Sequence, residues 1–152
     1  MKRIFSILMA VFLMIPLFSD VEVKAEGKEQ KVQTITFDDG TYIEIELVVS
    51  DVTRANRSGS KSYTCYNESD EAMWKATVTG SFTYDGRYAT CTSSSCSVTI
   101  YNSVWYTISK TAWTDENFAK ATVEMGKKML GVTVKQETHN LSLLCDRYGN
   151  LS

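Results

Sequence analysis

"AMWKATVTGSFTY", residues 72–84, alternates Ala72, Trp74, Ala76, Val78, Gly80, Phe82 and Tyr84 with Met73, Lys75, Thr77, Thr79, Ser81 and Thr83. Successive side chains of an extended chain point to opposite faces, so this period of two predicts a strand with one face on a core and one in water. The run is long against a typical strand of about 5–6 residues. Gly80 is therefore expected to mark a bend or bulge where the strand passes between two layers.

The same alternation extends outward in both directions. Ile43, Ile45, Leu47 and Val49 share one face of residues 41–49, opposite Tyr42, Glu44, Glu46 and Val48. Shorter strands are predicted at 32–37, 62–66, 87–92, 96–101, 104–109, 118–125, 130–138 and 140–145, and no helical stripe of useful length occurs. Asp39-Gly40 and Asp85-Gly86 fit tight hairpins. Residues 67–71 read as a polar turn and 54–60 as an exposed loop. Many short strands without helices predict an all-β fold, an antiparallel β-sandwich or small barrel.

Ahead of these strands, Met1-Lys2-Arg3 precedes an apolar stretch from Ile4 to Phe18, followed by a polar run ending Val23-Lys24-Ala25. A charged start, an apolar run shorter than the ~20 residues of a membrane span, and small residues before a cut describe an export signal. Residues 1–25 are thus expected to be a signal peptide and 26–152 one secreted domain. The single proline, Pro16, falls in the signal. Cleavage would remove three basic and two acidic side chains from a chain of formal charge −2 and leave −3. That balance excludes broad attraction to nucleic acid or anionic membrane, and Lys127-Lys128 reads as a solvated strand end.

All four cysteines, Cys65, Cys91, Cys96 and Cys145, lie in the expected exported part. An even count outside the cell reads as two disulfides, and one close pair with a single histidine does not fit structural zinc. In "CTSSSC", residues 91–96, a hairpin with a cysteine on each side of its loop is expected. A bond closing that loop is worth about 2 kcal/mol, against about 4 kcal/mol for one closing about 55 residues, as Cys91 to Cys145 does. Three pairings remain open, with Cys91–Cys145 plus Cys65–Cys96 preferred.

"SYTCYN", "MWKATVTGSFTYDG", "ATCTSSSCSVTIYNSVWYTISK" and "LLCDRYGNLS" together resemble a family of small secreted proteins from Gram-positive, Clostridia-like gut bacteria. The likeness spans about residues 61–152. It implies an extracellular bacterial protein, supports the Cys91–Cys145 pairing, and implies no particular activity.

Candidate chemistry is sparse. His139 is the only histidine; it has no nucleophile motif beside it and reads as a surface or edge residue. The acid pairs Asp38-Asp39, Asp70-Glu71 and Asp115-Glu116 fall in predicted turns, where acids cap and solvate. Residues 67–71 lack the length and glycine of a calcium loop. Trp74 and Phe82 belong to the apolar face. Trp105 stands opposite Val104, Tyr106 and Ile108 and is expected to be exposed; Trp113, in a predicted loop, is the leading candidate binding platform and Trp105 the second. The leading expectation is a non-enzymatic extracellular binding module without cofactor or metal. Its partner would be a cell-wall or host glycan or an extracellular protein, with no nucleic acid and no stable membrane insertion once the signal is removed. A bacteriocin-like antagonist of other bacteria is the alternative, and a hydrolase the third class.

Overall fold

The computed structural model describes residues 21–25 and 28–152, with side chains described from Val32 onward apart from Asp51. Nine strands follow in order: β1 Val21–Ala25, β2 Lys28–Thr36, β3 Tyr42–Val52, β4 Asn56–Tyr66, β5 Ala72–Tyr84, β6 Ala89–Ile100, β7 Trp105–Asp115, β8 Phe118–Met129 and β9 Val132–Leu144. Every pairing is antiparallel between sequence neighbours, giving a six-stranded meander β1 to β6 and a three-stranded meander β7 to β9. The two sheets bury their facing sides against each other, as in a β-sandwich. Of the expected signal only 21–25 is described; these residues form β1, an edge strand whose loss on cleavage would leave the β2–β6 pairings intact.

Why the sheets adhere is visible in the alternation. β5 turns Trp74, Ala76, Val78 and Phe82 inward, β3 turns Ile43, Ile45, Leu47 and Val49 inward, and β8 answers with Ala119, Ala121, Val123 and Met125. β9 adds Leu141 and Leu143. Outward positions on β4, β5 and β6 carry hydroxyls in register, with Ser60 opposite Thr79 and Thr79 opposite Ser95. Ser62 and Thr77 are joined through their side chains at 2.9 Å.

Gly80 is not itself the bulge. It stands where the sheets pinch together: a Cβ there would lie 2.6 Å from Cβ of Ala119 and 2.7 Å from Cζ of Phe82. The irregularity in β5–β6 pairing falls at the next step, where Thr92 is an extra residue between the Cys91–Phe82 and Ser93–Ser81 pairs. Its hydroxyl donates to the Ser81 carbonyl at 3.0 Å.

That extra residue also changes the reading of CTSSSC. Residues 91–96 are not a hairpin; β6 runs straight through them, since they offer no glycine, asparagine or aspartate to take positive φ in a tight turn. Cys91 and Cys96 would point to opposite faces of a regular strand, and the Thr92 bulge turns both inward. The two expected disulfides are absent: all four cysteines are free thiols. Cys65 pairs with Trp74 and Cys96 with Val78 on the intervening β5, which separates them by roughly 16 Å when strand spacing and rise are combined. A bond needs Cα atoms within about 7 Å. Cys91 and Cys145 do come from facing sheets, and their N–H groups donate to the successive carbonyls of Glu116 and Asn117, at 2.7 and 3.0 Å. Their thiols turn to local acceptors instead, Cys91 to the Ser93 carbonyl at 3.2 Å and Cys145 to that of Asp146 at 3.5 Å.

Other boundaries moved as well. The expected loop at 54–60 is largely strand, and the two strands expected at 130–138 and 140–145 are one, β9, entered through a turn at Leu130-Gly131. The expected Asp39-Gly40 and Asp85-Gly86 turns are present, with φ of 79° at Gly40 and 85° at Gly86.

Two outcomes test this packing. Gly80→Val overfills the pinch and is expected to cost about 3 kcal/mol, seen as a melting temperature lower by roughly 10 °C in a calorimetric scan; an unchanged melting temperature would mean the sheets are not held at Gly80. Native-state alkylation followed by peptide mapping is expected to label the partly exposed Cys96 before buried Cys65, Cys91 and Cys145.

Candidate functional site

At the end of the sandwich away from Gly80, the sheets part to leave a cleft of about 450 Å³. Ile43, Cys65, Met73 and Trp105 supply its apolar walls, and Asp39, Lys127, Lys135, Glu137 and His139 its polar ones. Its volume falls in the range of small-ligand sites, and polar residues outnumber apolar ones along its lining.

β9 explains why polar groups reach this interior. Its inward positions run Leu143, Leu141, His139, Glu137, Lys135, so one ladder at a spacing of two passes from apolar to charged. The charged half lies where the cleft opens. His139 Nε2 stands 3.3 Å from Glu137 Oε2, and the Lys135 ammonium bonds the other carboxylate oxygen. These partners hold the Glu137 carboxyl below its ordinary range, with the His139 contact the largest cause and the Lys135 bond also acting against burial. Lys135 is held above its usual value, chiefly by its bond to Glu137. Across the cleft, Asp39 is lowered by the hydroxyl and N–H of Thr41, which both donate to it.

His139 is therefore not a plain surface residue. Its ring packs 4.6 Å from that of Trp74, which meets Trp105 edge-on at 6.4 Å. Trp105 is 4% exposed, against the expectation of an open platform. Trp105 faces the core in the regular register ahead of the β7 bulge, and the bulge between Thr107 and Ser109 then moves the inward side to even-numbered positions, leaving Trp113 on the outer face. The Nε1–H groups of Trp105 and Trp74 are buried with no acceptor among the described residues. Lys127 extends its ammonium over the Trp105 ring at 5.9 Å from the centroid.

A thiol, an imidazole and a carboxylate in one cleft have the composition of a nucleophilic site, yet their tuning is wrong for it. Burial, followed by the nearby Glu137 charge, pushes the Cys65 thiol up to about 11. A reactive cysteine needs its thiolate favoured, the opposite direction.

Trp113 occupies β7 rather than a loop and is 44% exposed. It pairs with Lys120, whose ammonium bonds Asp115, on the outer face of the small sheet. Trp105 and Trp113 thus serve opposite faces and do not form one platform. Residues 67–71 close on themselves: Asn67 Oδ1 accepts from the N–H groups of Ser69 and Glu71, and its amide donates to Glu71 Oε2 at 2.9 Å. Among the described residues, no cluster of three or more His, Cys, Asp and Glu is placed to hold a metal ion. No protein-family model, curated protein or solved structure matches the chain.

The cleft's charge chain has a pH signature. Because Glu137 is depressed on folding, its contribution to stability is complete above the ordinary glutamate range and fades as pH falls through the lower folded value. Wild type is expected to lose denaturant resistance below about pH 4.5 faster than Glu137→Gln. Parallel acid slopes for the two proteins would show that the Glu137 contacts contribute no linkage.

Proposed function

We propose that the chain is a non-enzymatic binding protein that works outside the cell and takes a ring-bearing acidic ligand, of the acidic-glycan class, into the inter-sheet cleft. One observation carries the reading: Lys127 lines the cleft beside Trp105, its ammonium 5.9 Å from the ring centroid, so that a cation and an aromatic wall border one space. Lys127 lines the same space and gives an anionic group its counter-charge, while Ile43 and Met73 give a sugar ring its apolar contact. The export reading is supported by the order of charged, apolar and small residues across 1–25. Buried thiols are compatible with it: burial raises Cys65, Cys91 and Cys145, which suppresses the thiolates that oxidation requires.

The test uses uronic-acid oligosaccharides, with neutral oligosaccharides for comparison, titrated into isotopically labelled full-length protein. Saturable shifts are expected at Trp105, Lys135 and His139 with the acidic sugars alone. Lys127→Met keeps most of the side-chain length but removes the charge; it is expected to fold with little change in stability and to bind roughly tenfold more weakly. Equal affinity in the variant, or no saturable shifts with any acidic sugar, would sink the proposal.

A further inference from the structure

The β8–β9 hairpin runs on past the cleft to a two-residue turn, Leu130-Gly131, between the paired residues Met129 and Val132. Leu130 has φ of 51° and Gly131 of 80°, the left-handed values of a type I′ turn. The first central position of that turn favours asparagine, aspartate or glycine, because a Cβ-bearing residue is strained there. This chain places a leucine at it, and the side chain is 100% exposed. Met129, Val132 and Val134 are each more than half exposed beside it. Both choices work against the free fold: the backbone is strained and the apolar surface meets water. Exposed apolar residues gathered at a tip, in a conformation their type disfavours, point to an outside partner.

Charge indicates which partner. Lys127, Lys128 and Lys135 form a collar behind the tip, and no acid occurs from residue 125 to 136. Lys135 is answered by Glu137 and, at longer range, Asp39. Lys127 and Lys128 stand over the rings of Trp105 and Tyr106, Lys128 at 4.5 Å, and neither forms an ion pair among the described residues. An apolar tip with cations set one turn-length behind matches the layering of an anionic bilayer, whose acyl region lies beneath negatively charged headgroups. We infer that the tip of the β8–β9 hairpin docks reversibly on anionic membranes, Leu130 and its apolar neighbours entering the interface while Lys127 and Lys128 meet the headgroups. The docking is local and peripheral, so a chain of net negative charge tolerates it.

Sedimentation of full-length protein with vesicles tests this, using phosphatidylglycerol mixed with phosphatidylcholine against phosphatidylcholine alone. Wild type is expected to pellet with the anionic vesicles, less so as salt rises, and to stay in solution with the neutral ones. Leu130→Asn separates function from structure: asparagine suits the turn, so thermal stability should rise while vesicle partition falls roughly tenfold or more. Several results overturn the inference: no binding to anionic vesicles, equal binding to both kinds, undiminished binding by Leu130→Asn, or capture of a soluble protein through Leu130 without vesicle binding.

Discussion

The approach of β5 to β8 at Gly80 and Ala119 is the constraint from which the rest of the molecule follows. With no side chain at one position and a methyl at the other, the strands meet well inside the ~10 Å that ordinarily separates packed sheets. Ser94 Oγ can then donate to the Lys120 carbonyl at 3.1 Å, a side chain of one sheet bonding the backbone of the other. Toward the opposite end the facing residues grow: Ala119, Ala121, Val123 and Met125 along β8, and Trp74 and Trp105 beyond them. Small residues at one end and indoles at the other hold the sheets as a wedge. The cleft is the open side of that wedge, so its existence depends on a glycine far from it.

The chain's last residues reinforce the closed region. Leu151 pairs with Cys145, and the Arg57 guanidinium donates to the Gly149 carbonyl at 2.6 Å. Asp146 Oδ1 accepts the N–H groups of Tyr148 and Asn150, folding the tail onto the sheet. Leu151 then sits where Gly59 leaves room, since a Cβ on Gly59 would come within 2.5 Å of it. Non-covalent contacts of this kind do the joining that sulfur bridges were expected to do.

How much of this was legible in the sequence depended on whether a segment carried its own instructions. β5 did: its alternation gave both ends of the strand and its inward face. Residues 56–60 did not, because Arg-Ser-Gly-Ser is loop-like in isolation and becomes strand through its partners on β3 and β5. Bulges were the chief source of error. An extra residue at Thr92 or beside Thr107 reverses the parity from which facing is inferred, and no local signal announces it. Trp105 differs, since it precedes its bulge: the alternation of 105 with 104, 106 and 108 is legible, but Val104, Tyr106 and Ile108 outweigh one indole as the apparent inward side. The cleft was partly legible: Lys135, Glu137, His139, Leu141 and Leu143 follow one period of two, but splitting the segment into two strands hid the ladder.

The features that work against stability are not scattered. The indole N–H of Trp105, with no acceptor among the described residues, the inward-facing charges of β9 and the strained, exposed Leu130 all lie toward the wide end of the wedge, while the narrow end is closely packed. A fold under selection for stability alone has no reason to gather such costs in one place. Their common location also couples them: Lys127 lines the cleft, overlies Trp105 and belongs to the collar of the hairpin tip. A tip resting on an anionic surface would bring the cleft mouth close to the headgroup layer, where acidic sugars and phosphates are displayed. Lys127 would then face competing anions from the surface and from within the cleft, and surface contact would shift ligand affinity through that one side chain.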